Sequence, residues 1–261
     1  MNDANPRLIF RTAALSHAGC VRSHNEDSFA SLPECGLWLV ADGMGGHAAG
    51  DVASALIVDE IASVGIPVTA ADQRARFLER LGRAHQRIRN HAAENRLETV
   101  GATVAALMIF GSELSCAWAG DSRVYLLREG RLTALTQDHS EVAALLAEGV
   151  ITEEEARISP RRNVITRAIG IGVEAQPEIV TGVARPGDRF LICSDGLTEH
   201  LGDDDLTRIL RNPADVDQTA QTLIALTLER GARDNVTAIV IDCEAAEEDA
   251  EDPVMTYEYS R

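Results

Sequence analysis

The sequence predicts an α+β fold in which antiparallel sheets are covered by helices, and three observations lead to this prediction. Short runs of strand-forming residues dominate the 261-residue chain. Several of these runs are joined by turn-like tetrapeptides, such as FGSE (110–113) and REGR (128–131), as the strands of hairpins are. Helical patterns are grouped apart from the strand runs, so the chain lacks the strict alternation of strand and helix that is typical of parallel sheets.

The individual elements follow from the spacing of apolar residues. Strands are expected over residues 8–15, 28–31, 36–41, 103–110, 114–119, 124–128, 132–136, 189–194 and 236–243. Helices are expected over residues 47–64, 71–95 and 213–230, where apolar residues recur at helical spacing. We find no internal repeat and expect one domain over residues 1–243. The segment 244–261 has seven acidic residues and one basic residue, and we expect it to be a disordered tail.

Composition excludes several classes of function. The formal net charge of −17 disfavours binding to nucleic acid, which depends on clustered lysine and arginine. No apolar stretch is long enough for a membrane span, and the N-terminus lacks the pattern of a secretion signal. The cysteines are odd in number and scattered, without a Cys-x-x-Cys pair: Cys20, Cys35, Cys116, Cys193 and Cys243. This pattern favours a reducing cytoplasm over a disulfide framework or a structural zinc site.

Acidic residues stand where several predicted strands begin or end. Asp42 and Asp195 each follow a buried-type strand, LWLVA and FLICS, and each precedes a glycine. The others are Asp121 in AGDSR, Asp234 in RDNVTAIVI, and the pair Glu26 and Asp27 in VRSHNEDSF. Any one Asp-Gly pair is more typical of a simple turn. Because loops at strand ends can converge on one cleft, the set together predicts a shared site.

Converging carboxylates repel one another, and a divalent cation removes that conflict. Oxygen ligands without histidine or cysteine favour Mg²⁺ or Mn²⁺. One aspartate bridging two ions about 4 Å apart would suit in-line displacement at phosphorus, with a metal-bridging hydroxide as the nucleophile. The patterns of a cysteine phosphatase, a P-loop, an EF-hand and a DxD phospho-aspartate enzyme are absent from the sequence.

Seven segments together resemble the bacterial type 2C, metal-dependent Ser/Thr protein phosphatases. They occur in the order of that family and cover most of residues 10–243. The segments are GCVRSHNEDSF, LVADGMGGHAAGDVAS, VGATVAALMI, AWAGDSRVYLLREGRLTALTQDHS, NVITRAIG, GDRFLICSDGLTEHL and RDNVTAIV. The resemblance implies a four-layer α-β-β-α sandwich of two antiparallel sheets flanked by helices. It also implies hydrolysis of phosphoserine and phosphothreonine on proteins with two Mg²⁺ or Mn²⁺ ions.

The resemblance further implies a role for each acidic residue at the two principal ions. Asp42 would bridge both ions, and Gly43 would offer its backbone carbonyl to one of them. Asp195 and Asp234 would hold the first ion. The resemblance to the family also implies that the protein is a monomer.

Three further roles follow from the same resemblance. Asp27, with Glu26 beside it, would serve the second ion, partly through water. Asp121, together with Asp195, would hold a third and weaker ion. Arg22 would grip the substrate phosphate, a task that suits the fork of a guanidinium group.

One position departs from the eukaryotic members of the family, which carry a histidine directly after the Asp-Gly pair. Met44 occupies that position here. His47 is a candidate for the general acid, and a metal-bound water and His139 are the alternatives. Residues 138–163 correspond to the flap over the family's cleft, with a basic tip at Arg161 and Arg162.

Two other functions remain open at this point. One is a regulatory phosphoprotein-binding module with little turnover, and the other is a hydrolase of small phosphate esters. As a phosphatase it would act in signalling and oppose a separate Ser/Thr kinase.

Overall fold

A computed structural model describes residues 7–45 and 49–246 of the chain. Two antiparallel sheets face each other across an apolar layer, and helices cover the outer face of each sheet. The predicted α+β fold, with its four layers of helix, sheet, sheet and helix, is confirmed. Within the described ranges, no helix is both long enough and apolar enough to cross a membrane.

The first and the last elements of the described residues are strands. The strands are β1 (Leu8–His17), β2 (Asp27–Leu32), β3 (Leu37–Gly45), β4 (Val100–Ala102), β5 (Val104–Phe110), β6 (Glu113–Ala119), β7 (Arg123–Arg128), β8 (Arg131–Ala134), β9 (Glu178–Val183), β10 (Arg189–Cys193) and β11 (Val236–Ala245). The helices are α1 (Gly50–Ala62), α2 (Ala70–Asn95), α3 (Glu141–Ala147), α4 (Glu153–Ile158), α5 (Asp195–Thr198), α6 (Asp203–Leu210) and α7 (Val216–Glu229).

Both sheets are antiparallel and contain long-range crossovers. The first sheet has the strand order β1-β11-β10-β7-β8, and the second has the order β2-β3-β5-β6-β9, with β4 paired to the end of β3. β1 and β11 pair over ten residues, from Leu8 opposite Ala245 to His17 opposite Val236. The first and last strands of the described chain are therefore neighbours, and this pairing holds the ends of the domain together.

Three apolar clusters separate the four layers. Helix α2 presents Phe77, Leu81 and Ile88 to the second sheet, at the spacing of one helical face. Helices α6 and α7 cover the first sheet in the same way. Between the sheets, Trp38 and Phe190 are fully buried within the third cluster. Because both faces of β3 and β10 are buried, these strands have nearly continuous apolar sequences.

The structure contains a strand at each position where the sequence predicts one, and it adds two short strands. β4 has three residues, and all six residues of β9 are exposed. A fully exposed strand lacks the apolar alternation on which the prediction depends. Helix α1 begins at Gly50 within the described residues, whereas the prediction began at residue 47. β11 ends two residues beyond the predicted domain boundary at 243, and most of the predicted tail (247–261) lies outside the described residues.

Candidate metal centre

The register between β2 and β3 places two acidic residues side by side. Asp27 lies directly opposite Asp42 in this antiparallel pair. The backbone N–H of Gly43 donates to the carbonyl of Glu26 at 3.1 Å, which continues the pairing just before the strands diverge. Opposite residues in an antiparallel pair point to the same face of the sheet and lie close together. The two aspartates therefore face the same end of the cleft.

The other predicted aspartates approach from the ends of neighbouring strands. Asp121 follows β6, Asp195 is the first residue of α5 shortly after β10, and Asp234 lies just before β11. The pKa of Asp42 is raised well above its ordinary value, first by burial and then by the negative charges of its neighbours. These neighbours are Asp27, Asp195, Asp121 and Asp234. Elements of both sheets thus bring five aspartates into one cluster.

The cluster is electrostatically unfavourable as a set of bare carboxylates. Burial raises the pKa of Asp27 to about 6 and that of Asp121 to about 6, and the charge of a neighbouring aspartate adds to each shift. Burial and the charge of Asp121 raise the pKa of Asp195 well above its ordinary value. Glu26 at the edge also has a raised pKa, from burial and from the charge of Asp51. Such a set gains most from a bound cation.

The donor set fits Mg²⁺ or Mn²⁺. Oδ1 of Asp27 is buried and has no hydrogen-bond partner in the described structure, so one carboxylate oxygen remains open to a ligand. Across residues 7–45 and 49–246, no three acidic, histidine or cysteine side chains form a preformed ion cage. The hard oxygen ligands of the aspartate cluster nevertheless suit Mg²⁺, which usually keeps several waters and takes one or two carboxylates from the protein.

Both Asp-Gly pairs owe their glycine to close contact between backbones. A Cβ atom at Gly43 would overlap the carbonyl oxygen of Gly50, where α1 begins. A Cβ atom at Gly196 would overlap the carbonyl oxygen of Asn235, just before β11. The absent side chain therefore allows the loop carrying each aspartate to pack directly on the next element, and the turn interpretation of these glycines was incomplete.

Arg22 lies at the edge of the cluster and contacts it directly. Its Nη2 donates to Oδ2 of Asp234 at 2.7 Å, and 55% of its side chain is exposed. This bond, followed by the charges of Asp234 and Glu26, raises the pKa of Arg22. The guanidinium group is therefore held next to the acidic cluster, with most of its surface open to solvent.

Asn235 is an organising residue that the sequence reasoning missed. Its Oδ1 accepts from the backbone N–H of Glu26 at 2.8 Å, and its Nδ2 donates to the carbonyls of Ala18 and His24 at 3.0 and 2.9 Å. One buried side chain thus fixes the loop that carries Arg22 and Glu26 against the start of β11. The sequence showed Asn235 beside Asp234, but this position is also typical of a turn.

The structure describes only one of the two histidine candidates for the general acid. His47 lies outside the described residues, and its assignment stays a prediction. His139 is buried and stacks on Trp118, with ring centroids 5.8 Å apart. Its Nδ1 accepts from the backbone N–H of Gly120 at 3.2 Å, and its Nε2 lies 3.3 Å from Oε1 of Glu178. Nδ1 therefore helps to hold the turn before Asp121, while Nε2 faces Glu178 at the start of β9.

The predicted flap contains α3 and α4 and has a basic tip. Arg161 donates to Glu141 at 2.6 Å within the flap. Asn163 donates to Oε1 of Glu199 at 2.8 Å, and Arg162 lies 3.6 Å from the same oxygen. Since Glu199 directly follows α5, the tip of the flap contacts the segment that begins with Asp195.

The raised pKa values predict how metal-free stability depends on pH. A carboxyl group with a folded pKa of about 6 binds more protons in the folded state than in the unfolded state between about pH 4 and pH 6, so stability falls as pH rises through this window. We expect the melting temperature in EDTA to be lower at pH 7.5 than at pH 5. Asp121→Asn should reduce this difference, and an unchanged difference in that variant would contradict the account.

Comparison with known proteins gives the same assignment as the motifs. The family described as protein phosphatase 2C matches residues 13–236. The serine/threonine protein phosphatase PstP of Mycobacterium tuberculosis is 40% identical over 240 residues, which are 92% of this chain. A putative protein phosphatase 2C-type of Streptococcus pyogenes is 37% identical over 233 residues, which are 87% of this chain and 95% of the relative. This chain spans about half the length of the mycobacterial relative (46%).

The solved structures agree in fold as well as in sequence. The catalytic domain of a serine/threonine protein phosphatase named PstP, solved in complex with two manganese ions, superimposes with a TM-score of 0.82 at 40% sequence identity. The match covers 91% of this chain and 99% of that one. These matches show that the chain belongs to the protein phosphatase 2C family, among the bacterial serine/threonine phosphatases.

Proposed function

We propose that this chain removes phosphate from phosphoserine and phosphothreonine on proteins, using two Mg²⁺ or Mn²⁺ ions. The observation that carries the proposal is the cluster of five aspartates, in which burial and the charges of nearby carboxylates raise the pKa values of Asp27, Asp42, Asp121 and Asp195. The names of the relatives and the two manganese ions of the solved PstP domain support the same chemistry.

Each acidic side chain has a distinct part in this proposal. Asp42 would contribute to both ions and Gly43 would add its carbonyl oxygen, while Asp195 and Asp234 would hold the first ion. When bound, the ions supply a nucleophilic water at neutral pH and neutralise charge on the phosphate. The pairing of β2 with β3 and of β10 with β11 positions the backbone segments that carry or adjoin these carboxylates.

The remaining acidic residues would complete the site. Asp27, with Glu26 beside it, would serve the second ion, and Asp121 with Asp195 would hold a third, weaker ion. Burial of Asp27 and Asp121 supports these roles, since buried carboxylates need a cation or donors to remain ionised.

Arg22 would bind the substrate phosphate. The contact with Asp234 uses Nη2, so the other N–H groups of the guanidinium fork remain free to donate to phosphate oxygens. Its exposure at the edge of the acidic cluster supports this role, because a protein-bound phosphate must reach the site from solvent. Asp234 thus holds Arg22 beside the position at which Asp234 itself would bind an ion.

We further propose that residues 1–243 form the catalytic domain and that the protein acts as a cytoplasmic monomer in signalling, opposing a Ser/Thr kinase. The five cysteines support a reducing compartment: all are free thiols, four of them buried. The partners would be phosphorylated proteins, since the cluster is open to solvent beside Arg22 and is bordered by the flap.

The test is phosphate release from a phosphothreonine peptide by the full chain, with Mn²⁺ and with EDTA. We expect turnover with Mn²⁺ and none with EDTA. Binding of the peptide by Mn²⁺-loaded protein without phosphate release would overturn the proposal in favour of a regulatory phosphoprotein-binding module. Faster hydrolysis of a small phosphate ester than of the peptide would overturn the assignment of protein substrates.

A further inference from the structure

The carboxylate of Asp27 joins the two sheets at the metal centre. Asp27 belongs to β2 of the second sheet, yet its Oδ2 accepts hydrogen bonds from Ser194 Oγ and Thr237 Oγ1, both at 2.7 Å. Thr237 is the second residue of β11, and Ser194 directly follows β10, so both donors belong to the first sheet. All three side chains are buried. The position of this carboxylate is therefore set from the opposite sheet.

The strand register explains why the two hydroxyl groups lie together. Ser16 of β1 is the partner of Thr237 across the β1–β11 pair. On the other side of β11, the backbone N–H of Ser194 donates to the carbonyl of Thr237 at 3.1 Å. Residues 16, 237 and 194 therefore form a row of hydroxyl side chains across three adjacent strands.

The direction of each hydrogen bond in this row follows from the number of available protons. Ser194 Oγ donates its single proton to Asp27 and accepts from the backbone N–H of Thr237 at 3.0 Å. Thr237 Oγ1 also donates its single proton to Asp27. Ser16 Oγ must therefore be the donor to Thr237 Oγ1, at 2.7 Å. Asn25 Nδ2 then donates to Ser16 Oγ at 2.8 Å. The whole chain of donors ends on Asp27 Oδ2.

The two oxygens of Asp27 consequently have different environments. Oδ2 receives two hydroxyl donors, whereas Oδ1 is buried without a partner in the part of the chain that the structure describes. An unpaired buried carboxylate oxygen is costly, and such a group in a native protein calls for a ligand. Since Oδ2 is already saturated, Oδ1 is the oxygen available to a cation.

From this asymmetry we infer that Ser194 and Thr237 are positioning residues, which fix the Asp27 carboxylate so that Oδ1 is presented to a divalent cation. The inference rests on the metal site of the proposed function and adds two residues to it. Hydrogen-bond partners of this kind orient the carboxylates that hold metal ions, and their loss typically lowers metal affinity by about 10–100-fold.

The test is the affinity of the full chain for Mn²⁺, measured by calorimetry on Thr237→Val and Ser194→Ala. Valine keeps the shape of threonine and removes the hydroxyl group. We expect each variant to bind one Mn²⁺ ion about 10-fold more weakly than the wild type. Thr237→Ser retains the hydroxyl group and should restore most of the affinity.

Thr227→Val is the matched control. Thr227 is fully buried in α7, and its hydroxyl group donates to the carbonyl of Leu223 at 2.8 Å. Within the described residues it makes no hydrogen bond to Asp27. This variant should bind Mn²⁺ as the wild type does, which separates loss of a buried hydroxyl from loss of the Asp27 contact. If Thr237→Val does not fold, the same comparison between Ser194→Ala and the control decides the matter.

The outcomes separate this inference from the proposed function. Equal Mn²⁺ affinity of Thr237→Val, Ser194→Ala and Thr227→Val, in a protein whose wild type still hydrolyses the peptide, would overturn the inference alone. Failure of the wild type to bind Mn²⁺ would overturn both. Weaker binding by Thr237→Val with recovery in Thr237→Ser would support a positioning role, because a purely structural hydroxyl would not affect one ion site selectively.

Discussion

Asp42→Asn is expected to abolish phosphatase activity while making the metal-free protein more stable. The substitution preserves the size of the side chain and removes the charge that the structure places among four other aspartates. We expect kcat/KM for a phosphothreonine peptide to fall at least about a thousandfold, the upper end of what one lost electrostatic contact costs at an active site. Initial rates at saturating Mn²⁺ measure this effect.

The gain in stability is the second part of the same prediction. Because Asp42 is repelled by its neighbours, the neutral amide should raise the melting temperature in EDTA. Asp217→Asn, on an exposed position in the first turn of α7, should leave activity unchanged and should not raise the melting temperature, because Asp217 interacts favourably with the helix dipole. An Asp42→Asn variant that keeps its activity, or that melts below the wild type in EDTA, would contradict the assignment of Asp42 to a crowded metal site.

Binding of Mn²⁺ is expected to produce the largest change in thermal stability. The ions bind the folded cluster and cancel its internal repulsion, so a site saturated at about 100 times its Kd should add about 2.7 kcal/mol to the free energy of unfolding. For a domain of this size, each kcal/mol raises the melting temperature by about 2–4 °C. A melting curve recorded with EDTA and then with Mn²⁺ measures the difference.

The Asp42→Asn variant is the control for the metal effect. It should show a much smaller rise with Mn²⁺, because the residue proposed to contribute to both ions is missing. An equal rise in wild type and variant would place the stabilising Mn²⁺ elsewhere on this acidic surface. No rise in the wild type would argue against ion binding in the cluster.

The acidic positions could be predicted from the sequence because their signals are local. The strands before Asp42 and Asp195 are continuous apolar runs, and a charged residue followed by glycine marks their ends in the sequence itself. The individual ion assignments came from the resemblance to a family, since spacing alone does not say which carboxylate serves which ion. The structure brings Asp27, Asp42 and Asp121 together, as the shared-site prediction requires.

Features that depend on strand register could not be predicted. The row formed by Ser16, Thr237 and Ser194 arises because β1 and β10 flank β11. Ser16 and Thr237 are 221 positions apart in the chain. Asn235 likewise contacts a loop that is over 200 residues away in the chain. No local pattern records such contacts, and a single buried hydroxyl or amide has no sequence signature.

The central claim is that two divalent ions are held within the aspartate cluster, and anomalous diffraction from crystals soaked in Mn²⁺ tests it most directly. The account predicts two strong peaks about 4 Å apart, with Asp42 in contact with both. The same soak with Asp42→Asn crystals should lose or weaken both peaks. Manganese peaks elsewhere on the protein, with none inside the cluster, would contradict the account.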